Sequence, residues 1–210
     1  MYTPRYNRED DPVALLAFLK AHSFATLITV GPGGSPRATH LPFVVTTEGD
    51  GSLEGLRLVA HLARANPQWE DFASGREAMA IFQGPHAYIS PRHYEKPLSV
   101  PTWNYVALHA YGVPQLRDTP EEKRQILDLL IAQEEAGFAD QLAAYPDEFV
   151  QGKLRAIVAF DMPITRLETR YKLSQDRTPT ERQTIIESLS VSSSEAERHT
   201  AAMMAEREHR

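Results

Sequence analysis

At 210 residues and 42% hydrophobic content, the chain is sized for one domain with elaborations and can supply a real core. It has no cysteine, which excludes disulfides, thiolate catalysis and cysteine-ligated zinc or iron–sulfur centres. Acidic residues number 28 against 22 basic ones, a net charge of −6, with no Lys/Arg-rich block and no basic recognition helix, so the charge does not support nucleic-acid binding.

The amino terminus, MYTPRYNREDDP, lacks the apolar core of a signal peptide. No apolar run approaches the roughly 20 residues needed to cross a bilayer, and a cytoplasmic protein with no membrane contact is expected. Asp10-Asp11-Pro12 followed by Val13 to Leu19 predicts a capped opening helix, with acidic side chains serving the free N–H groups and proline in the first turn. Phe24 to Val30 reads as a strand stopped by Gly31-Pro32-Gly33-Gly34, and Arg37 to Thr46 as a second strand before a turn at Gly49-Asp50-Gly51. Leu56 to Leu62 is the third, followed by a short helix opened by Asn66-Pro67 and ending at Gly75. Ala78 to Phe82 with Ala87 to Ile89 forms a fourth strand, broken or bulged at Gly84-Pro85.

Trp103 to Val113 is the fifth, with Tyr105, Ala107, His109 and Tyr111 alternating against Val106, Leu108 and Ala110. Thr119-Pro120-Glu121-Glu122 starts a helix that buries Ile126, Leu129 and Leu130 and ends near Gly137. A short helix is expected at Pro146 to Phe149, and the sixth strand at Leu154 to Phe160, continuing past Pro163 towards Leu167. Strands gathered early, with helices inserted, predict a mainly antiparallel α+β fold and not a doubly wound sheet. From Thr178 the chain turns polar. The five serines between Ser188 and Glu197 read as a linker, and 195–210 as a solvated helix or disorder. The expected division is therefore 1–177 as the folded domain and 178–210 as a polar extension.

Several segments carry candidate chemistry. Trp103-Asn104-Tyr105 and Lys172-Leu173-Ser174-Gln175 each flank a strand-like run and lie about 70 residues apart. Together they offer aromatic faces, a cation and neutral donors, which suits a flat phosphorylated ligand; separately they are a core or interface aromatic pair and a polar exit segment. His61-Leu62-Ala63-Arg64-Ala65-Asn66-Pro67 joins a strand end to a helix start, where N–H groups and Arg64 could take an anion. Asn66 serves equally as a helix cap and Arg64 as a surface cation. Thr39-His40-Leu41-Pro42 is weak evidence alone. His86 and His93 flank a turn-rich segment, but no paired histidines or carboxylates stand at ligand spacing, so no metal site is assigned.

Taken in order, these motifs resemble the PaiB family of FMN-binding negative transcriptional regulators. The resemblance runs through Arg8-Glu9-Asp10-Asp11-Pro12, Ala38-Thr39-His40-Leu41-Pro42 and Ala63-Arg64-Ala65-Asn66-Pro67-Gln68-Trp69. It continues with Phe82 to Pro91, Val100 to Tyr105 and Lys172 to Gln175. Two positions depart from the pattern: His93 stands where tryptophan is usual, and Asp176 where asparagine is usual. The resemblance implies a six-stranded FMN-binding split β-barrel with peripheral helices, forming a homodimer with FMN at the subunit interface. It implies Thr39 and His40 on the phosphate or ribityl side with His61, Arg64 and Asn66, ring contacts from Trp103, Asn104 and Tyr105, and a cleft completed by Lys172, Ser174 and Gln175. DNA binding follows from the resemblance only, against the charge. A flavin-dependent oxidoreductase of the pyridoxamine-phosphate-oxidase or flavin-reductase kind is the alternative, and fold likeness does not choose between them.

Overall fold

The computed structural model describes residues 1–49 and 52–208; part of the turn expected at Gly49-Asp50-Gly51 lies outside them. The described residues form eight strands and six α-helices. In chain order they are α1 (Pro12–Ala21), β1 (Phe24–Val30), β2 (Pro36–Pro42), β3 (Val44–Thr46), β4 (Arg57–Ala63) and β5 (Ala78–Ile89). There follow β6 (Thr102–Gly112), β7 (Gln115–Arg117), α2 (Pro120–Glu134), α3 (Phe138–Ala143), α4 (Asp147–Arg155), β8 (Ile157–Lys172), α5 (Pro179–Ser190) and α6 (Glu195–Glu208). The sheet order is β2-β1-β5-β6-β8-β4-β3, with β7 also on β8. β1 runs antiparallel to β2 and β5, β4 to β3 and β8, and β7 to β8. The fold is thus mixed α+β as expected; the sheet has eight strands where six are expected, and its strand path is not closed. None of the described helices is long and apolar enough to cross a membrane.

The differences from expectation have local causes. The predicted second strand is two, because β2 pairs with β1 while β3 pairs with β4. The fourth strand runs unbroken through Gly84-Pro85. Leu154, expected to begin the last strand, is buried from the last turn of α4, and β8 starts three residues later. In the polar carboxy-terminal segment α6 is the helix expected as one of two alternatives, and α5 is the departure: Thr178 and Glu181 form a reciprocal capping box at its start, like that of Thr119 and Glu122 on α2. Of the serine-rich stretch, Ser188 and Ser190 end α5, and Ser192, Ser193 and Ser194 lie in the short connection before α6.

The chain divides into two compact units. The larger comprises Asp11–Phe82 and His109–Leu167. Inside it, Ala25 and Leu27 of β1, Leu58, Ala60 and Leu62 of β4, and Val158, Phe160 and Met162 of β8 are every second residue of their strands and are buried. Phe43 lies 5.8 Å from Phe82 and meets Phe160 edge-on at 6.3 Å, and Phe72 stands 4.9 Å from Phe160. Val44, Val59 and Ala159 face the other way, under Ile126 and Leu130 of α2. Gly112 ends β6 so close to β8 that a Cβ would stand 2.1 Å from the Pro163 carbonyl oxygen. The second unit comprises Met1–Asp10, Gln83–Leu108 and the chain from Glu168 on. Its core joins Ala87, Ile89, Val106, Leu108, Tyr171 and Leu173 to Ile185, Leu189, Ala201 and Met204 of the two last helices.

Candidate functional site

In the second unit, alternation on three adjacent strands sorts the side chains into two faces. Ala87, Ile89, Asn104, Val106, Tyr171 and Leu173 point inward. His86 and Tyr88 on β5, Trp103 and Tyr105 on β6, and Arg170 and Lys172 on β8 point outward. Trp103 is 52% exposed, with the His86 and Tyr88 rings each 6.0 Å from its ring, the tyrosine edge-on. Arg170 lies 5.5 Å over the Tyr105 ring and 5.6 Å from that of Tyr2. It donates to the Tyr2 carbonyl at 2.6 Å, while its buried Nε has no hydrogen-bond partner. Lys172 donates to the Thr102 hydroxyl. Burial, reinforced by the Arg170 charge, pulls its ammonium below the usual lysine range.

The two clusters separated by 70 residues in sequence thus meet. They do so on both faces of the strands: outward where Lys172 reaches Thr102 beside Trp103, and inward through Asn104 and Ser174. The Asn104 amide donates to the Ser174 hydroxyl at 2.9 Å, and the hydroxyl lies 3.1 Å from the amide oxygen. Gln175 folds back on its own turn, accepting from the Leu173 N–H at 2.7 Å and donating to the Tyr171 carbonyl. His86, Tyr88 and Arg170 share the outward face although sequence reasoning does not place them in the site. The last strand is expected to end at Leu167, and the alternation of Arg170 and Lys172 against Tyr171 and Leu173 is the signal that extends it.

The remaining expected residues lie in the larger unit. Asn66 caps the short helical turn Pro67–Ser74 through the Gln68 N–H at 3.0 Å and donates to Thr39 at 2.9 Å. Thr39 in turn donates to the buried Gln68 side chain. His40 is exposed, 2.8 Å from the Thr26 hydroxyl and stacked with Phe24. His61 sits on the β4 face that carries Val59, its Nδ1 buried without a hydrogen-bond partner, and burial lowers its pKa. Arg64 binds both carboxylate oxygens of Asp118 at 2.7 and 2.9 Å and the carbonyls of Arg155 and Ile157, so its guanidinium is occupied.

Residues 1–166 match the model of the family described as "Putative FMN-binding domain". The chain is 33% identical over 193 residues to "Protease synthase and sporulation protein PAI 2" of Bacillus subtilis, covering 90% of this chain and 89% of that one. Among solved structures it is similar to a conserved hypothetical protein of Mycobacterium tuberculosis, with TM-score 0.58 at 13% identity over 85% of this chain and 94% of that one. It is also similar to the FAD and heme binding protein of Mycobacterium smegmatis, with TM-score 0.57 at 19% identity over 81% and 72% of the two chains. These structural likenesses concern the fold.

Proposed function

Because the chain belongs to the FMN-binding family that its residues 1–166 match, and is related to PaiB over most of its length, we propose that it is a PaiB-type, FMN-binding transcriptional regulator. In this reading it is a split-barrel homodimer. The observation that carries the flavin reading is the outward face of β5, β6 and β8, where exposed aromatic rings adjoin two cations and one buried guanidinium nitrogen lacks a partner. The chemistry of that donor set fits FMN. Trp103, Tyr88 and Tyr105 offer flat apolar surface to the ring system, and Arg170 and Lys172 offer charge-assisted bonds to the phosphate. Arg64 is left out of this assignment because Asp118 already neutralises it. Bound there, the flavin would supply electron-transfer chemistry, and the protein would supply position and charge.

A flavin-dependent oxidoreductase is the second reading, favoured by the acidic net charge, which weighs against a DNA partner. The test is the visible absorption spectrum of the purified protein, titrated with FMN. Saturable flavin bands that weaken in Trp103→Ala support the face; no binding at high FMN removes it. Reduction of bound flavin by NADH or NADPH then argues for the enzyme. A sequence-dependent gel shift at stated salt argues for the regulator.

A further inference from the structure

We propose that the carboxy-terminal hairpin of α5 and α6 is a positioning element for the flavin face, acting on Lys172 through the buried pair Asn104 and Ser174. The inference rests on the flavin reading above and departs from what the sequence resemblance implies at two residues: Asn104 and Ser174 hold the site and do not touch the ligand. Asn104 is 0% and Ser174 3% exposed, and each satisfies the other. A hydroxyl and an amide enclosed in this way have no path to a ligand on the outward face.

Ser174 has φ of 61°, the only positive value at a non-glycine position among the described residues. Side chains other than glycine rarely hold that conformation unless their surroundings impose it. Here the surroundings come from three directions. Asn104 reaches from β6, and its amide also lies 3.4 Å from the Met204 sulfur of α6. Arg182 of α5 approaches the Leu173 carbonyl at 3.5 Å. Arg207 ties α6 to Glu9 at 2.8 Å and to the Arg8 carbonyl at 3.1 Å. The turn so fixed begins one residue after Lys172, and its shape sets where β8 ends and where the ammonium meets Thr102. The family match stops at residue 166, so every member of this arrangement except Arg8, Glu9, Thr102 and Asn104 lies beyond it.

The experiment titrates the full-length protein and its variants with FMN and with riboflavin, which lacks the phosphate. Lys172→Ala should weaken FMN about tenfold, the worth of a charge-assisted bond, and leave riboflavin within twofold. Ser174→Gly removes the hydroxyl yet accepts positive φ freely, so the fold should survive. It should lose FMN about fivefold with riboflavin affinity unchanged, lower Tm because the buried Asn104 amide loses its hydroxyl partner, and add nothing to the FMN loss of Lys172→Ala, because the two changes act on one interaction. Met204→Leu, which keeps apolar volume, should reproduce the same selective loss. Equal losses for both flavins, or none, in Ser174→Gly would overturn the positioning role while Lys172→Ala still upholds the flavin face. A loss in Ser174→Gly without one in Met204→Leu would remove the hairpin from it. A wild-type protein that takes up neither flavin, or an Lys172→Ala variant that binds FMN normally, would sink the flavin or phosphate assignment itself.

Discussion

Gly112→Ala adds a single methyl group at the end of β6, and its cost can be worked from the surroundings. The new Cβ would stand 2.1 Å from the Pro163 carbonyl oxygen, 2.9 Å from Cγ of Met162 and 3.1 Å from the Pro163 carbonyl carbon. Two of those three atoms are backbone. They belong to β8, which is paired through Pro163 and Met162 to Arg57 and Leu58 of β4, so the obstacle cannot swing aside as a side-chain tip would. Overpacking a rigid site costs about 1–3 kcal/mol, and the upper end applies here. Gly→Ala also restricts the unfolded chain, which returns about 0.4–1 kcal/mol. The net expectation is a loss of about 2 kcal/mol, or about 4–8 °C in Tm for a chain of this size. Urea unfolding should show a lower midpoint at unchanged slope. A midpoint equal to or above wild type would refute the close approach of the two strands.

Three further outcomes are expected. Arg64→Ala should cost about 1 kcal/mol or less in stability, since the Arg64 and Asp118 side chains are 38% and 43% exposed, and FMN affinity should stay within twofold; an FMN-selective loss would instead assign the phosphate to Arg64. Burial and Arg170 lower the pKa of Lys172, so the preference for FMN over riboflavin should decline as pH rises, before the ordinary lysine range is reached; a flat ratio up to that range contradicts the assignment. Hydrogen bonding from the Glu95 N–H holds the Glu181 carboxyl below the usual carboxylate range. The unfolded chain therefore takes up its proton first as pH falls, and the stability Glu181 provides at neutral pH disappears as pH drops through its lowered value. The difference in urea midpoint between wild type and Glu181→Gln should accordingly be largest near neutrality and close in acid.

Much of the fold is legible in the sequence where local signals agree. Phe24 to Val30 is a mainly apolar run stopped by a Gly-Pro-Gly-Gly turn, and β1 has those bounds. Thr119-Pro120-Glu121-Glu122 carries cap, proline and acidic first turn together, and α2 begins there. Legibility fails where two signals compete. Thr178-Pro179-Thr180-Glu181 has the same helix-start pattern, but the polar, serine-rich stretch after it masks the signal. Ile185, Leu189 and Met204 give only a sparse apolar stripe, enough once it packs against Tyr171 and Leu173. Leu154 reads as the start of a strand because an apolar run does not itself choose between helix and strand. At the candidate site, residue types are informative and directions are not. Trp103, Asn104 and Tyr105 adjoin in sequence, yet the pleat turns the asparagine inward and both rings outward. Arg64 reads as an anion-binding residue because nothing in the sequence reveals that Asp118, 54 positions away, reaches it.

The chain has two tryptophans, and their settings differ. Trp69, in the larger unit, donates its indole N–H to the Arg64 carbonyl at 3.0 Å and lies beneath that guanidinium. Trp103 stands on the open aromatic face. The protein therefore carries an intrinsic fluorophore on the surface where a flavin is proposed to rest, and a second whose emission reports on its own packing. Replacing either one with phenylalanine would separate the two signals, so that quenching could be followed without any attached label.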